Sequence, residues 1–309
     1  MTKRTPIQLA MLSFKGMAMG AADVVPGVSG GTIAFISGIY EELITSINNI
    51  NIGALKLWKN EGFKAFWNHI NGTFFVFLFA GIGVSIVSLA KVVTGLLESH
   101  PVLVWSFFFG LIIASVWLIS KSITKWSISV VSAILSGLVI AFYITTIQAT
   151  ATVDASWYIL LSGALAICAM ILPGISGAFI LLLLGSYDRV LHAITEVDLP
   201  IIGLFAAGCV IGLLSFARVL KLLFSKFKNI TIALLIGFMI GSLNKVWPWK
   251  NTISYRENHA GELVPFIQEN ILPGKIEGEP HMVIAIGCML VGFLLIVILE
   301  RFAPKKEQA

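Results

Sequence analysis

Two short stretches, "PGVSGG" (26–31) and "PGISG" (173–177), carry residue types suited to holding an anion. Proline removes a backbone donor and glycine permits a sharp turn, so a helix running through either stretch has to break there. A helix that restarts after Ser29 or Ser176 gains a hydroxyl cap and begins with main-chain N–H groups that have no intrahelical acceptor. In the first stretch Gly30, Gly31 and Thr32 add further donors. Such a start carries partial positive charge and suits a phosphate. The predicted binding residues are therefore Pro26, Gly27, Ser29, Gly30, Gly31 and Thr32, with Pro173, Gly174, Ser176 and Gly177. Packing relief by Pro–Gly kinks is the plainer explanation for one motif. Two motifs at matching positions favour binding.

Asp23 lies three residues before Pro26, and its counterpart near the second motif is Met170. An ionisable group at membrane depth is costly and tends to be functional. Asp23 either carries a coupling ion, a proton or sodium, or serves as a structural partner for Lys15 or free backbone donors. Lys91 and Arg218 stand near span ends on opposite sides, placed to receive an anionic head group or simply to snorkel. Asp188, His192 and Glu196 share one helix face, which reads as a solvated outer face; no metal and no cofactor is expected. The five histidines are scattered and form no nucleophile–base pair, which argues against an enzyme. Cys168, Cys209 and Cys288 are isolated and imply neither disulfides nor a cluster. Asn71-Gly72-Thr73 matches a glycosylation sequon by pattern only, on the predicted cytoplasmic side.

The elements that must position these residues follow from composition. The 309 residues are 57% hydrophobic and 12% charged, with mean hydropathy +0.93. Soluble domains carry roughly twice that charge. The reading is an all-α integral membrane protein, its partner the lipid bilayer rather than nucleic acid. Lys3 and Arg4 precede an apolar run, but Lys15 interrupts it, which argues against a signal peptide.

An internal repeat sets the organisation. At an offset of 147 residues, Gly16 pairs with Gly163, Ala22 with Ala169, Gly38 with Gly185 and Tyr40 with Tyr187. At an offset of 127, Gly81 pairs with Gly208, Lys91 with Arg218 and Gly110 with Gly237. Two halves result, 1–150 and 151–309. Each opens with a re-entrant hairpin (about 9–47 and about 157–195) and continues with three spans. Those are about 73–97, 102–120 and 127–147, then about 199–222, 230–247 and 282–302, each near the ~20 residues a bilayer requires. Residues 50–70 read as an amphipathic insert on the cytoplasmic surface, with Leu55, Trp58, Phe63, Phe66, Trp67 and Ile70 at near-helical spacing. Lys and Arg gather on the side that holds both termini, and the connections "ESHP" and "QATATVDAS" carry none. The 248–281 loop falls outside. Three spans per half invert the second half relative to the first, the architecture of secondary transporters with a midplane site.

The segments "GMAMGAADVVPGVSGGTIAFISGIYEEL" and "GALAICAMILPGISGAFILLLLGSYDRVL" resemble those of the bacterial polyprenyl-phosphate (undecaprenyl phosphate) transporters, and the resemblance extends over essentially the whole chain. It implies a flippase that returns an anionic isoprenoid lipid phosphate from the outer to the inner leaflet of the bacterial plasma membrane. There the carrier lipid re-enters cell-wall synthesis. The resemblance also carries Asp23 and the break residues over as functional positions. Gly31 matches Ala178, so the second half offers fewer close backbone contacts. Without the resemblance, the residues give an anion pocket in an inverted-repeat transporter. A carrier or channel for a small soluble anion remains the alternative, and a lipid phosphatase a distant third.

Overall fold

The structure, a computed structural model, describes residues 4–24, 28–147, 155–257, 263–276 and 279–302. Nine helices come from the first half: α1 (Pro6–Val24), α2 (Gly30–Ile36), α3 (Tyr40–Asn48), α4 (Ile52–Glu61), α5 (Phe63–His69), α6 (Gly72–Ser88), α7 (Ala90–Ser99), α8 (Pro101–Ser120) and α9 (Ile128–Thr146). The second half adds α10 (Ser156–Ile171), α11 (Gly177–Leu183), α12 (Tyr187–Thr195), α13 (Leu199–Lys226), α14 (Lys228–Ser242), strands β1 (Lys250–Glu257) and β2 (Leu263–Asn270), and α15 (Met282–Phe302).

Among the described residues α8, α9 and α13 are each long and apolar enough to cross a bilayer, and two bent pairs, α5–α6 (65°) and α11–α12 (111°), raise the number to five if each counts as one span. α10, α14 and residues Met282–Ile298 of α15 are apolar but shorter. The chain is a multi-pass, mostly helical membrane protein. Large apolar side chains such as Phe79, Val87, Ile128, Val139 and Val291 point outward, as lipid-facing surface should.

Helix starts follow their local chemistry. Asn51 caps α4 through Ala54 N, Ser127 caps α9 through Val130 N, and Asp198 caps α13 through Ile201 N. Pro101 and Pro200 occupy the first helical turns of α8 and α13, where a missing N–H costs nothing. In lipid, helices gain little from apolar burial against each other, so small residues that admit close backbone approach hold them together. Gly16 and Gly81 bring α1 against α6, and Gly163, Gly208 and Gly212 bring α10 against α13. Gly110 and Gly292 join α8 to α15; Gly137, Gly237 and Gly241 join α9 to α14. The largest fully buried side chains include Tyr40, Phe74, Leu78, Ile112, Ile236 and Met239.

Three segments differ from the sequence reading. The stretch expected as one span at about 73–97 is two helices, α6 and α7, jointed at Leu89. The insert is also two helices, because Gly62 adopts φ +86° between α4 and α5; Trp58 stacks on Phe66 with ring centroids 5.3 Å apart. The all-α expectation fails in the 248–281 loop, where β1 and β2 pair antiparallel with a register shift between Thr252 and Ser254. Residues 252–255 alternate polar and apolar or aromatic side chains, a period of two that suits a strand. Three hydrogen bonds tie down the foot of this hairpin: Trp247 Nε1 to Ile271 O (2.9 Å), Trp249 Nε1 to Pro280 O (2.9 Å) and Ile271 N to Trp249 O (3.0 Å). The sequon asparagine Asn71 spends its side-chain amide on Glu42 (2.9 Å) and Ser46 (3.2 Å).

Candidate functional site

The site is built where α1 gives way to α2 and α10 to α11. At the first break Ser29 is extended (φ −126°, ψ 137°), and its Oγ accepts from Gly31 N at 3.0 Å. Asp23, in the last turn of α1, accepts from Gly30 N through Oδ1 at 2.7 Å. Asp23 thus meets an otherwise free backbone donor, and Lys15 Nζ donates to Ser37 O at 2.7 Å. Helix α2 has only seven residues, so its summed dipole is small and the individual N–H groups matter more. Three of those donors are already taken, Gly30 N by a carboxylate, Gly31 N by the cap and Thr32 N by Ser29 O at 2.9 Å.

The two breaks meet. Ser29 Oγ donates to Met170 O, at the end of α10, at 2.7 Å. Gly174 N donates to Thr32 Oγ1 at 2.9 Å. Gly31 lies so close to the Met170 and Ile171 carbonyls that a Cβ there would collide with backbone. Gly174 takes φ +87°, the left-handed region, against Ser242 and Phe238 O of α14. Ser29 and Thr32 are fully buried, and Ser176 nearly so at 6% exposure. Pro173 and Gly177 are buried as well. Pro26 and Gly27 lie outside the described residues.

At the second break the Ser176 cap is weaker, with Phe179 N at 3.5 Å from its Oγ. Gly177 N and Ala178 N have no acceptor among the described residues. Met170 supplies no carboxylate corresponding to Asp23.

The remaining expected positions lie apart from this centre. Lys91 is the second residue of α7, and its side chain lies outside the described part of the structure. Arg218 is exposed on α13 and forms no ion pair among the described residues. His192 and Glu196 pair at 3.1 Å on an exposed face beside Asp188, and no described group of His, Cys, Asp or Glu is arranged to hold a metal.

Sequence reasoning missed two lysines. Lys245 follows α14 closely, and Lys245 Nζ sits 4.6 Å over the Phe179 ring of α11. Lys250 Nζ sits 3.6 Å over the Trp105 ring and donates to Lys245 O at 2.7 Å. The signal was present in "KVWPWK" (245–250), where cations bracket aromatics at a helix end.

Helices joined through small residues around two interlocked breaks define a helical, multi-pass membrane protein with its breaks paired inside the bundle. Residues 19–264 match the family described as undecaprenyl phosphate translocase-like, and the chain belongs to that family. It is 48% identical over 295 residues to the polyprenyl-phosphate transporter of Vibrio cholerae serotype O1, covering 94% of this chain and 96% of that one. It is 35% identical over 252 residues to the polyprenyl-phosphate transporter of Staphylococcus aureus, covering 76% of this chain and 84% of that one. Both relatives bear transporter names, not enzyme names. No solved structure matches the chain.

Proposed function

We propose that this chain is a flippase for undecaprenyl or another polyprenyl phosphate, working from the outer to the inner leaflet of the bacterial plasma membrane and recycling carrier lipid for cell-wall synthesis. The two halves are inverted repeats, each with a re-entrant hairpin, and both termini are cytoplasmic. The observation that carries the reading is the meeting of the breaks through Ser29–Met170 and Thr32–Gly174, in a chain whose relatives are named for polyprenyl phosphate. A further contact supports the paired hairpins. Lys15 donates to Ser37 O, and Tyr158 donates to Leu184 O at 2.9 Å; these two acceptors stand 147 residues apart, at the repeat offset.

In this reading the structure is a closed state. Each neutral hydrogen bond across the breaks contributes roughly 1 kcal/mol net, so the pair is a latch that thermal motion opens readily. Once parted, the breaks turn their donors toward the phosphate while the isoprenoid tail stays in lipid. The head group thus exchanges contacts stepwise instead of losing all of them at once. Asp23 sets the order of events. Its carboxylate and a phosphate oxygen compete for Gly30 N, so a proton or a sodium ion on Asp23 frees that donor and couples ion to lipid. Lys91 and Arg218 receive the head group at the two surfaces.

The test is reconstitution in liposomes with a short-chain polyprenyl phosphate in one leaflet. Native protein accelerates its transfer, and the Ser29→Ala/Ser176→Ala double variant is slower. Native-rate transfer by that variant defeats the proposed pocket. Flux of inorganic phosphate without lipid transfer would establish the small-anion carrier instead.

A further inference from the structure

The strongest feature not absorbed by the paired breaks is the basic cluster at the foot of the β-hairpin. Lys245 and Lys250 are half-buried. Lys245 forms no hydrogen bond or ion pair through Nζ among the described residues, and Lys250 uses one donor of three, on Lys245 O. Trp105 and Phe179 supply aromatic faces, which offset only part of the cost of desolvating a cation. Burial, and then the nearby Lys245 charge, push the Lys250 ammonium well below the ordinary lysine pKa. Beside Lys250 lies a depression of about 230 Å³ lined by Lys250, Asn251, Ile271, Lys275 and Ile276. Among the described residues no carboxylate lines it, and the nearest described acids along the chain, Glu269 and Glu279, are exposed.

We propose that Lys245, Lys250 and Lys275 form a receiving site for a phosphate monoester, on the membrane face that bears the β-hairpin and ahead of the second break. The placement argues for this as strongly as the charge does. Lys245 covers Phe179 in α11, three residues beyond the Ser176 cap. Ser242, whose O accepts from Lys245 N at 2.9 Å, packs against Gly174. The cluster therefore abuts the second break, the one with unoccupied amides. A dianionic head group bridging Lys250 and Lys275 removes the repulsion between the ammoniums and completes their hydrogen bonding. A volume of this size holds several waters, and hence room for a phosphate that exchanges with them. Asn251 adds an amide at the rim. Snorkelling alone does not account for a half-buried Lys250 that shares one depression with Lys275 and contacts a second half-buried lysine, Lys245.

The assignment of a lipid as ligand rests on the transport reading; the site itself does not. The test uses full-length protein in nanodiscs of zwitterionic lipid. Binding of a short-chain polyprenyl phosphate, inorganic phosphate and the uncharged polyprenol is measured, with flipping measured in liposomes. We expect Lys245→Gln/Lys250→Gln to raise the Kd of the lipid phosphate about tenfold or more. The concentration for half-maximal flipping rises in parallel, and the rate at saturation is unchanged. Lys250→Arg keeps near-native binding, and Lys275→Gln, on an exposed turn that cannot unfold the protein, weakens it about threefold. Competition by inorganic phosphate but not by polyprenol identifies the phosphate as what is recognised; competition by polyprenol but not by inorganic phosphate assigns the tail and overturns the site. Unchanged Kd and half-saturation in both the double variant and Lys275→Gln overturn the site. Lysine-dependent binding without flipping by native protein leaves the site standing and removes the transport reading.

Discussion

At the first break the chain supplies its own anion, Asp23, to Gly30 N; at the second, Met170 stands in that place, and Gly177 and Ala178 offer amides that nothing described accepts. The second break also has Lys245 over Phe179, whereas the first faces the Met170 and Ile171 carbonyls. Duplicated segments have thus kept the serine cap and divided the electrostatics. On the transport reading proposed above, the first side waits on an ion and the second on a ligand. The division would then give the carrier its direction, because two breaks of like sequence would differ in their affinity for phosphate.

The comparison can be broken most severely at Gly31. Gly31→Val drives a side chain into the Met170 and Ile171 carbonyls, which costs roughly 2–3 kcal/mol of stability and stops flipping. Thermal unfolding in detergent and the liposome assay read both effects. Next comes exchange of the acid. Asp23→Asn, which keeps an acceptor for Gly30 N, should abolish the dependence of flipping on pH and sodium and slow it about tenfold. Met170→Asp, placing a carboxylate beside the open second-break amides, should weaken phosphate binding to a similar degree. Native behaviour of both variants across a pH and sodium series would erase the asymmetry. Thr32→Val removes the acceptor for Gly174 N and should cost roughly 1 kcal/mol. It unlatches the breaks, so cysteine probes at Ser176 label faster while the fold survives. The smallest effect is expected at Arg218. Exposed and unpaired among the described residues, it should shift stability by under about 0.5 kcal/mol when changed to Gln. Any large loss of flipping there sharpens the comparison by marking a head-group contact remote from the breaks.

The sequence was most legible where one physical constraint dominates. Lipid demands long apolar helices, so composition and run length announced a helical membrane protein, and the two Pro–Gly segments announced both the breaks and the family. It was least legible where partners are main-chain atoms. Met170 O and Gly174 N have no side-chain signature, so the link from Ser29 and Thr32 to the other break could not be read. The joint at Leu89 was hidden because Gly72–Ser99 is apolar on both sides of it. The β-hairpin was masked by its mixed charge, although Thr252 to Tyr255 alternate as a strand does. Lys245 and Lys250 read as ordinary flanking cations until the fold set them on Phe179 and Trp105.

The fully buried Ser29 and Thr32 hydroxyls are spent on the Met170 carbonyl and the Gly174 amide, so among the described residues neither is left loosely held at that point. Protons and small ions cross a bilayer where water wires form, and two hydroxyls held in this way give such a wire no foothold. On the proposed reading, we expect a copy held in this closed state to leak few protons, so that a membrane could carry many idle copies at little energetic risk.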